Sequence, residues 1–399
     1  MPYIRLGDVI ELKRGYDLPA RQRQSGSVPI ISSSGPSGRH DEAKVTGPGV
    51  VTGRYGTIGQ VFFVEGDFWP LNTSLYVKDF KGHNPRFIFY FLQGIDWERF
   101  NDKSGVPGIN RNHAHEAFVT IPPAGDHEAI AELLGALDDK SDLNRRMNET
   151  LEAMARAIFK DWFVDFGPTR AKADGRAPYL APELWDLFPD ALDQEGKPVG
   201  WTLASLSVLA EANPESWSKK NAPKEIVYVD LSNTKWGSID ATHHFLWRDA
   251  PSRAKRILRP GDTILGLVRP GNGSYAFIGT SGLTGSTGFA VLRPREPRYA
   301  ELVFLSATAP ENIERLANLA DGAAYPAVRP EVVEATEVVV ADNAVTASFS
   351  ALVAPIIDRM ERNKIESQTL ARTRDLLLPR LMSGEIRLSQ AEKLQEGAA

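Results

Sequence analysis

Cysteine is absent from the 399-residue chain, which excludes disulfides, thiolate metal sites and cysteine nucleophiles. No run of about 18 apolar residues occurs and Met1 is not followed by a basic-then-apolar leader, so a cytoplasmic protein without membrane segments is expected. Low-complexity tracts are missing too, and 42% hydrophobic with 24% charged residues is a globular composition. A chain this long can bury large cores and is expected to hold two domains or more. Catalytic signatures are equally scarce. There is no Asn-Pro-Pro-aromatic motif of exocyclic-amine methylation and no Gly-x4-Gly-Lys-Ser/Thr phosphate loop.

An overall excess of positive charge is also lacking, the net charge being −5. The average hides a distribution. Residues 126–168 carry five Lys/Arg against ten Asp/Glu, enough to account for the whole net charge, while residues 248–298 carry nine basic residues against three acidic ones. The basic excess, which includes Arg253, Lys255, Arg259, Arg269 and Arg293, reads either as a phosphate footprint or as an ordinary solvated face.

What is present is a repeat. Leu6 to Val9 falls on Leu206 to Leu209, Pro48-Gly49 on Pro260-Gly261, Thr73 on Thr287, and Gly105 on Gly322. The strongest match is gapless at an offset of 219, between "AIAELLGALDDKSDLNRRMNETLEAMARAIFKDWF" and "SFSALVAPIIDRMERNKIESQTLARTRDLLLPRLM". In the first, Ile130, Leu134, Leu137, Leu151, Met154, Ile158 and Trp162 keep three- and four-residue spacing, the stripe of one helix. Their equivalents are Phe349, Val353, Ile356, Leu370, Thr373, Leu377 and Leu381. Both stripes turn polar at the centre, at Asn144 and Asn363, either as buried register-setting residues or as solvated ones.

Each repeat helix ends in bulky apolar residues, Phe159, Trp162 and Phe163 in one and Leu377, Leu378, Leu381 and Met382 in the other. Such ends need cover. Antiparallel pairing supplies it, because each end then lies beside the start of the other helix and its globular domain. Ahead of each helix, short apolar runs such as "GQVFFV" and "VYVDL" with Gly and Pro punctuation read as strands and turns. The expected plan is a globule at 1–124, a helix at 125–166, a linker at 167–200, a second globule at 201–342, a second helix at 343–386 and a flexible tail at 387–399.

Taken together, "GVVTGRYGTIG", "VTIPPAGDHEAIAELL", "AIFKDWFVDFGP", "LFPDALDQEGKPVGW" and the closing "LLLPRLMSGEI" make the chain resemble the specificity (S) subunits of type I restriction-modification systems over essentially its whole length. The segment before the second helix, "VVVADNAVTASFSAL", departs by lacking the "PP" seen before the first. The resemblance implies an α+β fold: two strand-rich target-recognition globules, each followed by a long helix, the helices forming an antiparallel coiled coil with pseudo-twofold symmetry. It implies a non-catalytic reader of double-stranded DNA, one globule per half of a bipartite, asymmetric site. Two methyltransferase (M) subunits, which bind S-adenosylmethionine, would dock on the helices. Restriction (R) subunits using ATP and Mg would join where the system has them, and this chain itself would hold no cofactor or metal.

Several residues are candidates for DNA contact. Arg54 and Tyr55 tip a Gly-rich hairpin, and Arg269, Asn272 and Tyr275 occupy the matching loop. The loop at 101–113 adds Lys103, Asn110, Arg111 and Asn112, types that pair with guanine and adenine edges; for the asparagines, turn and cap formation is the competing use. Its partner loop keeps Tyr325 and Arg329, and Lys219 and Lys220 flank Trp217. Helix pairing is assigned to Leu137, Asn144, Leu151, Ile158, Trp162, Ile356, Asn363, Leu370, Leu377 and Leu381. A nuclease-like pattern at Asp190, Glu195 and Lys197 lies in the linker and reads as coincidence. His113 and His115 lack a third ligand for a metal. The alternative function is a repeat-built DNA-binding regulator or scaffold without a methyltransferase partner.

Overall fold

A computed structural model describes residues 1–101 and 107–388. They divide into two compact units, residues 1–144 with 365 onward, and residues 145–364. The division differs from the boundaries expected from sequence, because each unit holds one globule together with half of each long helix. Among the described residues no helix is long and apolar enough to cross a membrane.

In the first unit Tyr3–Arg5 pairs antiparallel with Phe118–Thr120. A one-turn helix, Leu6–Val9, then leads into a four-stranded sheet in the order Glu11–Arg14, Ser74–Asp79, Gly49–Gly53, Val61–Val64. The apolar runs at Val50-Val51 and Leu75 to Val77 are buried there. A three-stranded sheet, Gly35–His40, Val28–Ser32 and Trp69–Pro70, accompanies it. Asn84 caps the helix Pro85–Gln93, accepting the amides of Arg86 and Phe87 with proline in the first turn. That helix buries Phe87, Ile88, Tyr90, Phe91 and Leu92 against Leu133, Leu134 and Leu137 of the first long helix and Leu377, Leu378, Leu381 and Met382 of the second. The cover required for the second helix end is found in this core.

The second unit repeats the plan. Thr202–Ser205 pairs with Glu337–Val340, and the sheet order Ala210–Ala212, Phe289–Pro294, Thr263–Gly266, Tyr275–Phe277 reproduces the first sheet strand for strand. The accessory sheet differs, with four strands in the order His243–Leu246, Glu225–Val229, Leu283–Ser286, Ala254–Ile257. Residues between the first helix and this globule form short helices, Gly167–Ala173 and Pro182–Trp185, and Phe188 packs edge-on to Trp162 at 4.9 Å. Phe163 meets Phe349 at 4.9 Å and Trp201 at 5.8 Å. The aromatic end of the first helix is thus covered by the start of the second helix and by its own downstream chain.

The long helices are His127–Phe163 and Asn343–Ser383. Their pairing is antiparallel inside each unit. In the first, Asp138 meets Arg374 at 2.7 Å and Asn144 donates to Glu366 at 2.7 Å and Ser367 at 3.4 Å. In the second, Asn363 donates to Asn148 at 2.7 Å and Asn148 donates to the carbonyl of Met360 at 3.1 Å. With the repeat offset of 219, Ser367 is the equivalent of Asn148, so the two asparagine contacts are one contact made twice. Asn144 and Asn363 are 0% and 1% exposed, which resolves their alternatives in favour of burial.

Leu137, Trp162, Leu370, Leu377 and Leu381 are buried as expected, whereas Leu151, Ile158 and Ile356 are only half-buried and Met154 faces solvent. Ala155 and Ile357 take the inner positions instead. A seven-residue spacing drifts about 20° per repeat around a straight helix. Ala155 stands 18 residues from Leu137, five turns at about 3.6 residues each, and so returns to the seam.

Candidate nucleic-acid interface

In the first unit the loop that follows Gly49–Gly53 is organised by one carbonyl. Thr73 O accepts from the amides of Arg54 and Tyr55 at 2.9 and 3.1 Å, while Thr73 Oγ1 accepts from the Ser33 amide at 3.3 Å. Gly53 admits no side chain, since a Cβ there would lie 1.8 Å from the Thr57 carbonyl. The Gly56 amide donates to Pro107 O at 3.1 Å and the Ile109 amide to Arg54 O at 3.0 Å, which draws residues 107–110 against the hairpin. The Arg54 guanidinium lies over the Tyr55 ring at 4.3 Å.

Arg54, Tyr55, Asn110, Arg111 and Asn112 converge, with Ile109 and Arg14, on a cavity of about 440 Å³. Arg14 was missed by sequence reasoning. It ends the strand Glu11–Arg14, and only the cross-strand register Arg14↔Leu75 brings it to the Thr73 turn. It pairs at 3.7 Å with Asp17, whose side chain is well exposed. Asn110 serves as a cap, its side-chain oxygen accepting the Asn112 amide at 3.0 Å at the start of Arg111–Glu116. That bond uses one lone pair of the oxygen and leaves the side-chain NH2 as a donor. Lys103 lies outside the described residues.

The second unit builds the same frame with other side chains. Val268 bridges to Ala327, and the Arg269 amide donates to Pro326 O at 2.7 Å. Arg269, at φ +48°, lies over the Tyr325 ring at 4.9 Å and donates to the carbonyl of Ala324 at 2.8 Å. Tyr325 is 72% exposed, and Asn272, at the end of the single turn Pro270–Asn272, is exposed too, as is Arg329. Tyr275 is different: it lies in the core, 4% exposed, on a strand buried along its whole length, and cannot reach a duplex.

Charge at 248–298 is less available than its composition suggests. Buried Asp262 is matched by Arg293 at 2.8 Å, and Glu215 by Arg259 at 2.6 Å and by Arg293. A buried carboxylate requires such partners. The Asp262 bond holds Arg293 more firmly protonated than usual, and the Arg293 bond lowers the Glu215 pKa. Arg248 and Arg298 pair with Asp249 and Glu296. Arg253 and Lys255 remain exposed without a carboxylate partner among the described residues. Lys255 lies on the edge strand Ala254–Ile257, and its carbonyl accepts the Trp217 amide at 2.7 Å. This holds the turn carrying exposed Lys219 and Lys220, closed by a 2.7 Å bond from the Ser218 amide to Asn221, beside that strand.

The nuclease-like residues do not converge. Asp190 pairs with Lys172 at 3.0 Å, whereas Lys197 holds Asp193 and, at 2.6 Å, Glu195. His115 is structural, its Nε2 accepting the Leu12 amide at 2.9 Å.

Known proteins resemble the chain both in sequence and in fold. Residues 2–153 match the type I restriction modification DNA specificity domain family. The chain is 24% identical over 392 residues to the type I restriction enzyme HindI specificity subunit of Haemophilus influenzae, covering 82% of this chain and 84% of that one. It is 22% identical over 312 residues to the MjaIX specificity subunit of Methanocaldococcus jannaschii, covering 73% and 67%. In fold it is similar to the type I restriction-modification S subunit from M. genitalium, with a TM-score of 0.62 and 14% identity over 96% of each chain.

Proposed function

We propose, from the chain's similarity to type I restriction-modification specificity subunits, that it selects the DNA sequence a methyltransferase complex modifies, one globule per half of a bipartite, asymmetric site. The paired helices serve as the spacer between half-sites and as the docking surface for two methyltransferase subunits. S-adenosylmethionine belongs to those partners, ATP and Mg to a translocase-nuclease where one accompanies them, and the chain itself is not catalytic.

One observation carries the reading: in each unit a loop on the same sheet sets an arginine over a tyrosine, the adjacent Tyr55 in the first and Tyr325 of the facing loop in the second, while the neighbouring polar residues differ. A shared frame with exchanged side chains is what two readers of different half-sites need. Arginine and asparagine read guanine and adenine edges in the major groove, and exposed Arg253, Lys255, Lys219 and Lys220 fit the backbone contacts that position a reader without specifying sequence.

Co-expression with the methyltransferase of the same system tests this. The chain should co-purify with two methyltransferase copies, methylation should require it, and the chain alone should turn over no S-adenosylmethionine. Turnover by the chain alone, or failure to co-purify, contradicts the proposal.

A further inference from the structure

Trp236 is 60% exposed and belongs to none of the candidate sites above. It stands with Gly237 at the tip of the hairpin formed by Thr234–Lys235 and Ser238–Ile239. Both tip residues have positive φ, +47° for Trp236 and +84° for Gly237. A two-residue turn of this kind normally takes Asn, Asp or Gly at its first position, and a bulky side chain there is strained. Strained residues persist where the surroundings over-determine them, and they concentrate at functional sites.

The surroundings here are specific. The Trp236 amide donates to Gly273 O at 2.6 Å, the Gly237 amide to Tyr275 O at 2.9 Å, and Lys364 Nζ to Gly237 O at 2.7 Å. The indole lies so close over Gly273 that a Cβ there would fall 2.6 Å from it, and it meets Tyr275 edge-on at 6.0 Å. Gly273 is the next residue after Asn272 and four from Arg269, so a rigidly seated, exposed indole lies against the loop that carries two candidate base readers. Lys235, exposed, precedes it.

We infer that Trp236 is an aromatic wedge that stacks against a base step of the half-site read by the second globule, next to Arg269 and Asn272. The inference rests on the DNA-reading function proposed above. Insertion of an apolar side chain between base steps unstacks them at a cost that the aromatic contact and the bent duplex must offset, while arginine and asparagine supply the letters. Duplex DNA fits better than a protein partner because two flanking groups, Lys235 and Arg269, are cationic and a third, Asn272, can both donate and accept at a base edge.

The test uses the complete methyltransferase complex and a duplex carrying its methylated site, with 2-aminopurine placed at successive steps of that half-site. Glycine accepts φ +47° without strain, which offsets the packing lost over Gly273 and against Tyr275, so Trp236→Gly should stay folded and still co-purify with the methyltransferase. Its affinity for the site should fall by about tenfold, the scale of one base–aromatic stack, and the 2-aminopurine fluorescence rise seen with wild type should vanish. Trp236→Phe should restore part of both. Unchanged binding by Trp236→Gly overturns the inference while leaving the DNA-reading function in place. Loss of co-purification also overturns it, by assigning the indole to a protein interface. A wild-type complex that fails to bind the duplex overturns the underlying function and this inference with it.

Discussion

Arg54 and Arg269 are each fixed by a backbone bond to the facing loop and by a tyrosine beneath the guanidinium. A pre-positioned arginine loses little freedom on binding, and a bidentate contact to a base edge discriminates by about 1–3 kcal/mol. Arg54→Ala and Arg269→Ala are therefore expected to weaken target binding by roughly that amount and to relax specificity in one half-site only, the half read by the same globule. Binding to libraries randomised in either half measures this; equal relaxation of both halves would contradict it. Arg253→Ala/Lys255→Ala should instead weaken binding evenly across sequences and reduce the salt slope by about one for each phosphate that is no longer neutralised. At this scale the sequence was partly legible. Gly-rich turns announce Arg54, Tyr55 and the 110–112 stretch, because glycine spacing is a local signal. Arg14 and the burial of Tyr275 depend on strand register, and the neutralisation of Arg259 and Arg293 on distant Glu215 and Asp262, which no charge count reveals.

Among the elements, the long helices are the most readable, since a gapless repeat with helical spacing needs no tertiary information. Their polar centres are legible as well, but burial is not: only the packing of Glu366, Ser367 and Asn148 against Asn144 and Asn363 separates a buried asparagine from a solvated one. What the pattern obscured was drift, which turns Met154 outward and Ala155 inward. Trp162 is the largest side chain buried at the first helix end, against Phe188 and Phe349. Its truncation to alanine should cost about 3–5 kcal/mol. Denaturant unfolding of Trp162→Ala, with co-purification of the methyltransferase as a second readout, checks this. A variant of wild-type stability that retains its partner would show that the aromatic end is not structural.

At the scale of the molecule, a net charge of −5 is compatible with the proposed DNA recognition because the acidic excess resides at 126–168, whereas the candidate contacts sit on loops of the globules. Two globules on one sheet plan, linked to two helices of 37 and 41 residues, make half-site identity and half-site spacing separable properties under the proposed function. Inserting four residues near Asn144 and four near Asn363 adds about one turn, roughly 6 Å, to each helix, equivalent to one or two base pairs at about 3.4 Å each. The most direct test is the methylome of a host carrying this insertion variant with its methyltransferase. Both half-sites should keep their letters while the non-specific gap lengthens by one or two base pairs. Altered letters at the original gap would contradict the account, because specificity would then lie in the helices and not in the globules.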